Sequence, residues 1–197
     1  MKLGLYGGSF DPIHKGHLGP VKEARDVLGL DRVIYLPTAR PPHKLHRKAA
    51  SAMARFAMVE LALLDEVDLY VSPLELVDRV TYTVETLEHF RRLQPDDDLV
   101  LILGSDSLVQ LDSWRQWRQI LQIADIAVLE RPANEERLPS SELREALEAS
   151  RVHRIGNLPV NVSSTDIRQW IAAGRDDAQP FLSPLVLNYI EKYDLYR

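Results

Sequence analysis

The hydrophobic positions along the chain alternate between short apolar runs and longer stretches with helical spacing. The apolar runs predict six strands, at residues 2–7, 32–37, 67–72, 98–104, 125–130 and 159–163. Apolar residues that recur every three or four positions predict helices at 16–29, 49–64, 83–93, 106–111, 114–123, 140–150, 165–174 and 183–193. An alternation of strands and helices of this length is typical of a parallel sheet.

The run at 98–104 is the most continuous apolar segment, as expected for a central strand covered on both faces. We therefore predict an α/β fold, a Rossmann-like doubly wound parallel sheet with helices on both faces, in a single domain spanning 1–197. In such a sheet a ligand binds beyond the carboxyl ends of the strands, where the strand order reverses. This rule brings together the segments 7–17, 37–48, 72–83, 104–114 and 163–168.

Composition and charge narrow the classes of function. The chain has no cysteine, which excludes disulfides, thiolate metal sites and thiol nucleophiles. The sequence begins without the long apolar core of a signal peptide, and no run approaches the ~18 apolar residues of a membrane span, so we expect a cytoplasmic protein with no membrane partner. The net charge of −5 argues against a nucleic-acid partner. Residues 40–48 nevertheless combine Arg40, Lys44, Arg47 and Lys48 with no acid, which suits a small anionic ligand.

The first candidate motif is LYGGSFDPIHKGHL, at residues 5–18. Gly7 and Gly8 have no side chains, so backbone N–H groups can approach an anion where the chain turns. His14 and His17 lie at the predicted start of a helix, where their imidazoles can donate hydrogen bonds to phosphoryl oxygens as negative charge builds. The plainer alternative is a solvent-exposed histidine pair. A zinc site would need a third ligand, which this motif does not supply.

The second candidate motif is VSSTDIR, at residues 162–168. Ser163 followed three residues later by Asp166 predicts a capping box at a helix start. The same helix start places hydroxyl and free N–H groups where an anion can bind. Arg168, one turn inside the helix, adds a planar fork that suits phosphate oxygens.

Taken together, these motifs resemble the nucleotidyltransferase superfamily, which carries an H-x-G-H element and a late S-S/T-x-I-R element. More narrowly, the chain is similar to bacterial nicotinate-nucleotide adenylyltransferases through PPHK (41–44), TYTVETL (81–87), GSDSLVQLDSW (104–114), ERP (130–132) and VLNYIEKYDLYR (186–197), in the same order. The resemblance implies that ATP and nicotinate mononucleotide react to give deamido-NAD and pyrophosphate, in NAD biosynthesis. It implies Mg²⁺ held mainly by the phosphates, and we name no protein metal ligand.

The resemblance also implies roles for individual residues. The residues expected in catalysis are His14, His17, Lys44 and Arg168, with His17 best suited to the transition state at the α-phosphorus. The residues expected to bind ATP are Gly8, Ser9, Phe10, His17, Gly104, Asp106, Ser163, Ser164 and Arg168, with the helical segment from about 164 to 197 completing the site. The residues expected to bind nicotinate mononucleotide are Gly7, Gly8, Ser9, Lys44, Tyr82, Thr83, Trp114 and Arg115.

At the nicotinate end, the indole of Trp114 is expected to stack on the pyridine ring, while backbone N–H groups near Tyr82 and Thr83 receive the carboxylate. Arg115 either pairs with that carboxylate or faces water. Trp117 lies on an apolar helical stripe, which favours a place in the core.

Two alternatives stay open. The first is another transferase of the superfamily, acting on nicotinamide mononucleotide or pantetheine phosphate or transferring a cytidylyl group. The second is a catalytically silent nucleotide-binding protein on the same fold, because fold does not determine function. The sequence also leaves open the oligomeric state, including a homo-oligomer.

Overall fold

A six-stranded parallel sheet forms the centre of the protein in a computed structural model that describes residues 1–39, 49–77, 79–130, 138–156 and 160–197. Across the sheet the strands lie in the order β3 (Leu69–Val71), β2 (Arg32–Pro37), β1 (Lys2–Gly8), β4 (Asp98–Gly104), β5 (Asp125–Leu129) and β6 (Val152–Ile155). Every neighbouring pair is parallel. The chain moves outward from β1 in one direction and then from β4 in the other, so the strand order reverses between these two strands.

Eight α-helices cover the sheet in the described part of the chain: α1 (Lys15–Leu28), α2 (Ala52–Leu63), α3 (Thr83–Leu93), α4 (Ser105–Leu108), α5 (Trp117–Ile123), α6 (Ser141–Glu148), α7 (Ser164–Ala172) and α8 (Pro184–Lys192). Two apolar clusters fill the space between helices and sheet. One cluster includes Met58 and Ile190 and involves α1, α2, α7 and α8. The other includes Leu87 and Ile120 and involves α3, α5 and α6. The predicted doubly wound fold with helices on both faces is therefore confirmed.

Local sequence signals account for several helix ends. The hydroxyls of Ser51, Ser140 and Ser183 each accept a hydrogen bond from a backbone N–H in the first turn of the helix that follows. Gly29 ends α1 in the left-handed conformation (φ 61°), which glycine adopts without a steric penalty. Across the described residues, no helix has both the length and the apolar character needed to span a bilayer.

The predicted sixth strand is wrong. The strand lies at Val152–Ile155, whereas residues 160–163 are not in a strand and residue 159 is outside the described residues. Within the described part of the chain β6 pairs with β5 alone, so it is an edge strand of this sheet. An edge strand can carry polar side chains such as those of His153 and Arg154. The apolar pattern near 160–163 instead reflects Val162, which packs against the core without joining the sheet.

The segment between β4 and α5 also differs from the prediction. Instead of helices at 106–111 and 114–123, it contains the short α4, a 3-10 turn at Leu111–Ser113 and a later helix that begins at Trp117. Gln116 precedes α5 in the left-handed conformation (φ 51°), which breaks the helical path. As a result, Trp114 has an extended backbone and follows the 3-10 turn directly.

Candidate active site

The turn after β1 is built around the ring of Phe10. This residue is 1% exposed and has a left-handed backbone (φ 47°). Its ring packs against the rings of Tyr6, Tyr35 and His17, the last in a T-shaped pair with ring centroids 5.3 Å apart. A Cβ on Gly8 would lie 2.8 Å from this ring, whereas a Cβ on Gly7 would have nothing within 4 Å. Gly8 is therefore required by the packing of Phe10, while the space beside Gly7 is open.

The two histidines of the first motif form a mutual cap at the start of α1. The Nδ1 of His14 accepts a hydrogen bond from the N–H of Gly16 (3.1 Å), and the Nδ1 of His17 accepts one from the N–H of His14 (3.3 Å). The ring centroids are 3.9 Å apart. Since each Nδ1 acts as an acceptor, each neutral ring carries its proton on Nε2, which is then a donor. His14 is only 5% exposed, so the solvent-exposed pair is excluded.

The two sequence motifs meet in the fold. The hydroxyl of Ser164, at the start of α7, donates to the carbonyl oxygen of Pro12 (3.0 Å), a contact between residues 152 positions apart. The Nη1 of Arg168 donates to the carbonyl oxygen of Asp11 (2.6 Å) and lies 3.8 Å from its Oδ2. The N-terminus of α7 and the β1–α1 turn are therefore held in direct contact.

The capping box at Ser163 is confirmed. The Ser163 hydroxyl oxygen accepts from the N–H of Asp166 (3.1 Å), and the Asp166 carboxylate accepts from the N–H (2.9 Å) and hydroxyl (2.6 Å) of Ser163. These hydrogen bonds, led by the one from the Ser163 hydroxyl, lower the pKa of Asp166. The side chain of Ser163 therefore has a structural role at the helix start.

Arg55 is the functional-site neighbour that the sequence reasoning missed. It lies on α2 and is 3% exposed, and its guanidinium donates to the carbonyl oxygens of Ser9 (2.5 Å), Thr38 (2.7 Å), Ala39 (3.1 Å) and Ala50 (3.3 Å). Burial lowers the pKa of Arg55. The available signal is a single basic residue within a mostly apolar helical stretch, AASAMARFAMVELALL.

Asp11 is a second buried charge that sequence reasoning did not single out. Its carboxylate is buried, and its Oδ1 accepts hydrogen bonds from the N–H of Ala50 (3.1 Å) and the hydroxyl of Tyr196 (2.7 Å). Asp11 therefore connects the β1–α1 turn, the start of α2 and the segment after α8. No local pattern could have revealed a partner 185 positions away.

Backbone hydrogen bonds join the turns that follow β1, β2 and β3. The N–H of Thr38 donates to the carbonyl of Gly8 (3.0 Å), and the N–H of Ala39 donates to the carbonyl of Glu75 (3.2 Å). The buried Glu75 carboxylate accepts a hydrogen bond from the hydroxyl of Thr86 on α3 (2.8 Å). The basic segment 40–48, including the predicted site residue Lys44, is outside the described residues.

A positively charged side chain, that of Arg115, lies beside the N-terminus of α3. Tyr82 holds the cap position of α3 and makes no side-chain cap hydrogen bond. The first backbone N–H groups of α3 consequently have no side-chain cap, which favours an anion there. The guanidinium of Arg115 lies 4.6 Å from the ring centroid of Tyr82, and its Nη1 lies 3.7 Å from Oε1 of Glu85. Arg115 is thus held at this helix end by the protein itself.

The remaining predicted residues follow β4 along the chain. Gly104 is the last residue of β4, and Asp106 lies exposed in the first turn of α4. Trp114 is partly buried against the cluster that includes Trp117, and Trp117 is 8% exposed, which confirms its predicted place in the core. The structure therefore places Gly104 and Asp106 beside the reversal in strand order, at the end of the strand that pairs with β1.

Comparison with known proteins shows the family to which the chain belongs. The profile of the cytidylyltransferase-like family matches residues 5–170, so the chain belongs to that family. A probable nicotinate-nucleotide adenylyltransferase of Neisseria gonorrhoeae is 41% identical over 202 residues, which cover 99% of this chain and 98% of that protein. The protein of the same name in Solibacter usitatus is 36% identical over 197 residues and 100% of both chains. Within the family, the chain belongs to the nicotinate-nucleotide adenylyltransferases.

The similarity in three dimensions extends over the whole chain. The Plasmodium falciparum nicotinic acid mononucleotide adenylyltransferase complexed with NaAD matches with a TM-score of 0.79 at 19% identity, covering 99% of this chain and 97% of that one. A putative nicotinate-nucleotide adenylyltransferase from Vibrio parahaemolyticus matches with a TM-score of 0.67 at 20% identity. At these identities the match establishes the fold alone.

Proposed function

We propose that the protein transfers the adenylyl group of ATP to nicotinate mononucleotide, releasing deamido-NAD and pyrophosphate. The observation that carries this proposal is the contact between the β1–α1 turn, which leads into the His14–His17 cap, and helix α7, which bears Arg168. Relatives that share up to 41% identity over nearly the full length support the choice of nicotinate mononucleotide as acceptor. NAD biosynthesis in the cytoplasm is the corresponding setting.

The reaction makes modest chemical demands on the protein. An oxygen of the 5′-phosphate of nicotinate mononucleotide attacks the α-phosphorus of ATP, and the bond from that phosphorus to the bridging oxygen of pyrophosphate breaks. The attacking phosphate is already anionic, so no general base is required. Positioning and charge stabilisation remain as the sources of catalysis.

The groups around the end of β1 supply those two effects. The Nε2–H donors of His14 and His17 would stabilise negative charge at the α-phosphoryl oxygens, with His17 as the main contributor. Arg168 would bind the triphosphate through N–H groups other than those that contact Asp11 and the hydroxyl of Thr165, together with the N-terminus of α7. Lys44 would add a point charge to the phosphates.

Mg²⁺ would fit this site as an ion already bound to ATP. Among the described residues there is no group of three or more His, Cys, Asp or Glu side chains that could hold a metal ion. The Asp11 carboxylate already accepts hydrogen bonds from Tyr196 and Ala50. Mg²⁺ would therefore enter with ATP and keep mainly phosphate and water oxygens, as this small, strongly hydrated ion commonly does.

At the other end of the acceptor, the features near α3 favour an acid over an amide. The uncapped N–H groups that follow Tyr82 would receive the nicotinate carboxylate, and Trp114 would stack on the pyridine ring. Arg115 adds positive charge beside the same helix end, partly balanced by Glu85. An amide in this position would turn an NH₂ group toward a donor, at a penalty of ~1–3 kcal/mol.

One assay tests the proposal directly. Purified protein is mixed with MgATP and either nicotinate or nicotinamide mononucleotide, and pyrophosphate release is followed. We expect faster turnover with the acid by roughly tenfold or more. Equal or faster turnover with the amide would refute the assigned specificity, and no turnover with either would favour a silent nucleotide-binding protein.

His17→Ala tests the role of the histidine pair. We expect a fall in kcat of ~10²-fold or more with the fold retained, because one preorganised donor to the transition state is lost. The matched control is His153→Ala on the edge strand β6, which should leave kcat unchanged. Turnover of the His17 variant equal to that of the control would remove His17 from the mechanism.

A further inference from the structure

The segment that follows α8 folds back onto the candidate active site. Tyr196 is 6% exposed, and its ring belongs to the apolar cluster that also contains Phe10, Ile13 and Ile167. Its hydroxyl donates to Oδ1 of Asp11 at 2.7 Å. A residue far along the chain is therefore in direct hydrogen-bond contact with the turn that follows β1.

The backbone of this segment takes an uncommon path to make that contact. Asp194 (φ 52°) and Tyr196 (φ 69°) both have left-handed conformations, which residues other than glycine adopt rarely. A hydrogen bond from the N–H of Leu195 to the carbonyl of Ile190 (3.0 Å) holds the turn. Unfavourable backbone geometry persists where the surrounding structure enforces it, and here it delivers the Tyr196 hydroxyl to Asp11.

Asp11 also contacts Ala50 and Arg168, which belong to other parts of the candidate active site. Its Oδ1 also accepts the N–H of Ala50, which follows the segment bearing Lys44. Its Oδ2 lies 3.8 Å from Nη1 of Arg168, and the same nitrogen donates to its carbonyl oxygen. The orientation of the Asp11 carboxylate therefore bears on where Arg168 points.

The hydroxyl of Tyr196 keeps its proton and therefore remains a hydrogen-bond donor. Burial, followed by the negative charge of Asp11, raises the pKa of Tyr196 far above its ordinary value. The group stays protonated over the working range of an enzyme and cannot compete with Asp11 as an anion. Phenylalanine would fill the same space without the donor.

We infer that Tyr196 is a positioning residue for ATP, acting through Asp11 on Arg168. The inference rests on the proposed function in taking Arg168 as a ligand of the triphosphate. Loss of the hydroxyl lets the buried carboxylate turn toward the N–H of Ala50 and the guanidinium of Arg168. Arg168 is then drawn onto Asp11 and binds phosphate less well, while the nicotinate end near α3 is unaffected.

The test compares Tyr196→Phe with the wild type and with Tyr193→Phe, a control at a tyrosine that is 56% exposed on the same segment. The dissociation constant of MgATP is measured by calorimetry, KM is measured for ATP and for nicotinate mononucleotide, and circular dichroism confirms folding. For Tyr196→Phe we expect both ATP constants to rise about tenfold, as when a hydrogen bond to a charged group is lost. KM for the mononucleotide should change less than about twofold, and the control should match the wild type.

Three outcomes would overturn the inference: unchanged ATP constants, an equal loss for both substrates, or the same loss in Tyr193→Phe. A double-mutant cycle with Asp11→Asn adds a second measurement, because a shared path requires the two changes to be strongly non-additive in ATP affinity. The proposed function fails separately. A wild type that binds MgATP but makes no deamido-NAD would refute adenylyl transfer, while a weaker ATP affinity in Tyr196→Phe would still support the positioning role.

Discussion

Replacement of Arg55 by methionine removes the group that connects three segments of the site. The Arg55 guanidinium is buried and donates to carbonyl oxygens after β1 (Ser9), after β2 (Thr38 and Ala39) and before α2 (Ala50). Methionine has a similar unbranched stem but no donor. In the variant, four carbonyl oxygens in a partly buried region lose this donor.

The expected loss of stability follows from the number of bonds. At ~0.5–1.5 kcal/mol net for each of four hydrogen bonds, the gross loss is ~2–6 kcal/mol. Removal of a buried charge returns part of this, because the guanidinium no longer has to be taken out of water. We therefore expect Arg55→Met to lower the free energy of unfolding by about 3 kcal/mol. Arg55→Lys should lose less, since it retains the charge but not the planar fork.

Urea unfolding monitored by tryptophan fluorescence measures this change, with the slope against urea required to stay constant. The matched control is Arg151→Met, whose side chain is 78% exposed and pairs with Asp125 at the other edge of the sheet. Exposed ion pairs contribute ~1 kcal/mol at most. A loss in Arg55→Met no larger than that of the control would refute the reasoning. Turnover should also fall, by ~10²-fold, because residue 55 no longer donates a hydrogen bond to the Ser9 carbonyl in the turn before the histidines.

Two further substitutions test local features of the site. Gly8→Ala places a methyl group 2.8 Å from the ring of Phe10. We therefore expect the free energy of unfolding to fall by ~1–3 kcal/mol and kcat to fall as well. The control is Gly19→Ala, where the added Cβ has nothing within 4 Å, and this change should be neutral or stabilising. Wild-type stability and turnover in Gly8→Ala would contradict the close packing. Burial raises the pKa of Glu75 above its ordinary value of 4.5, so the wild type loses stability as the pH rises through that raised pKa and the buried carboxylate ionises. Glu75→Gln retains an acceptor for Thr86 without the charge, and its melting temperature relative to the wild type should rise between pH 4 and pH 8; a pH-independent difference would argue against an ionised Glu75.

Much of the fold could be predicted because its signals are local. Hydrophobic spacing identified five of the six strands and all the long helices, and serine and glycine marked several of their ends. The capping box at Ser163 depends on residues three positions apart, so it too could be predicted. The edge strand β6 escaped prediction because its pairing with β5, and not its own apolar pattern, makes it a strand.

The sequence by itself determined the fold class and the two motifs, since both follow from spacing within a few residues. Only the tertiary structure decided how those motifs are held. It showed that Gly8 makes room for Phe10, that the histidines cap a helix through Nδ1, and that Asp11 meets Tyr196. Such contacts depend on which buried donor faces which acceptor after the chain has folded. Residues 185 positions apart carry no mark of that pairing in their own neighbourhoods.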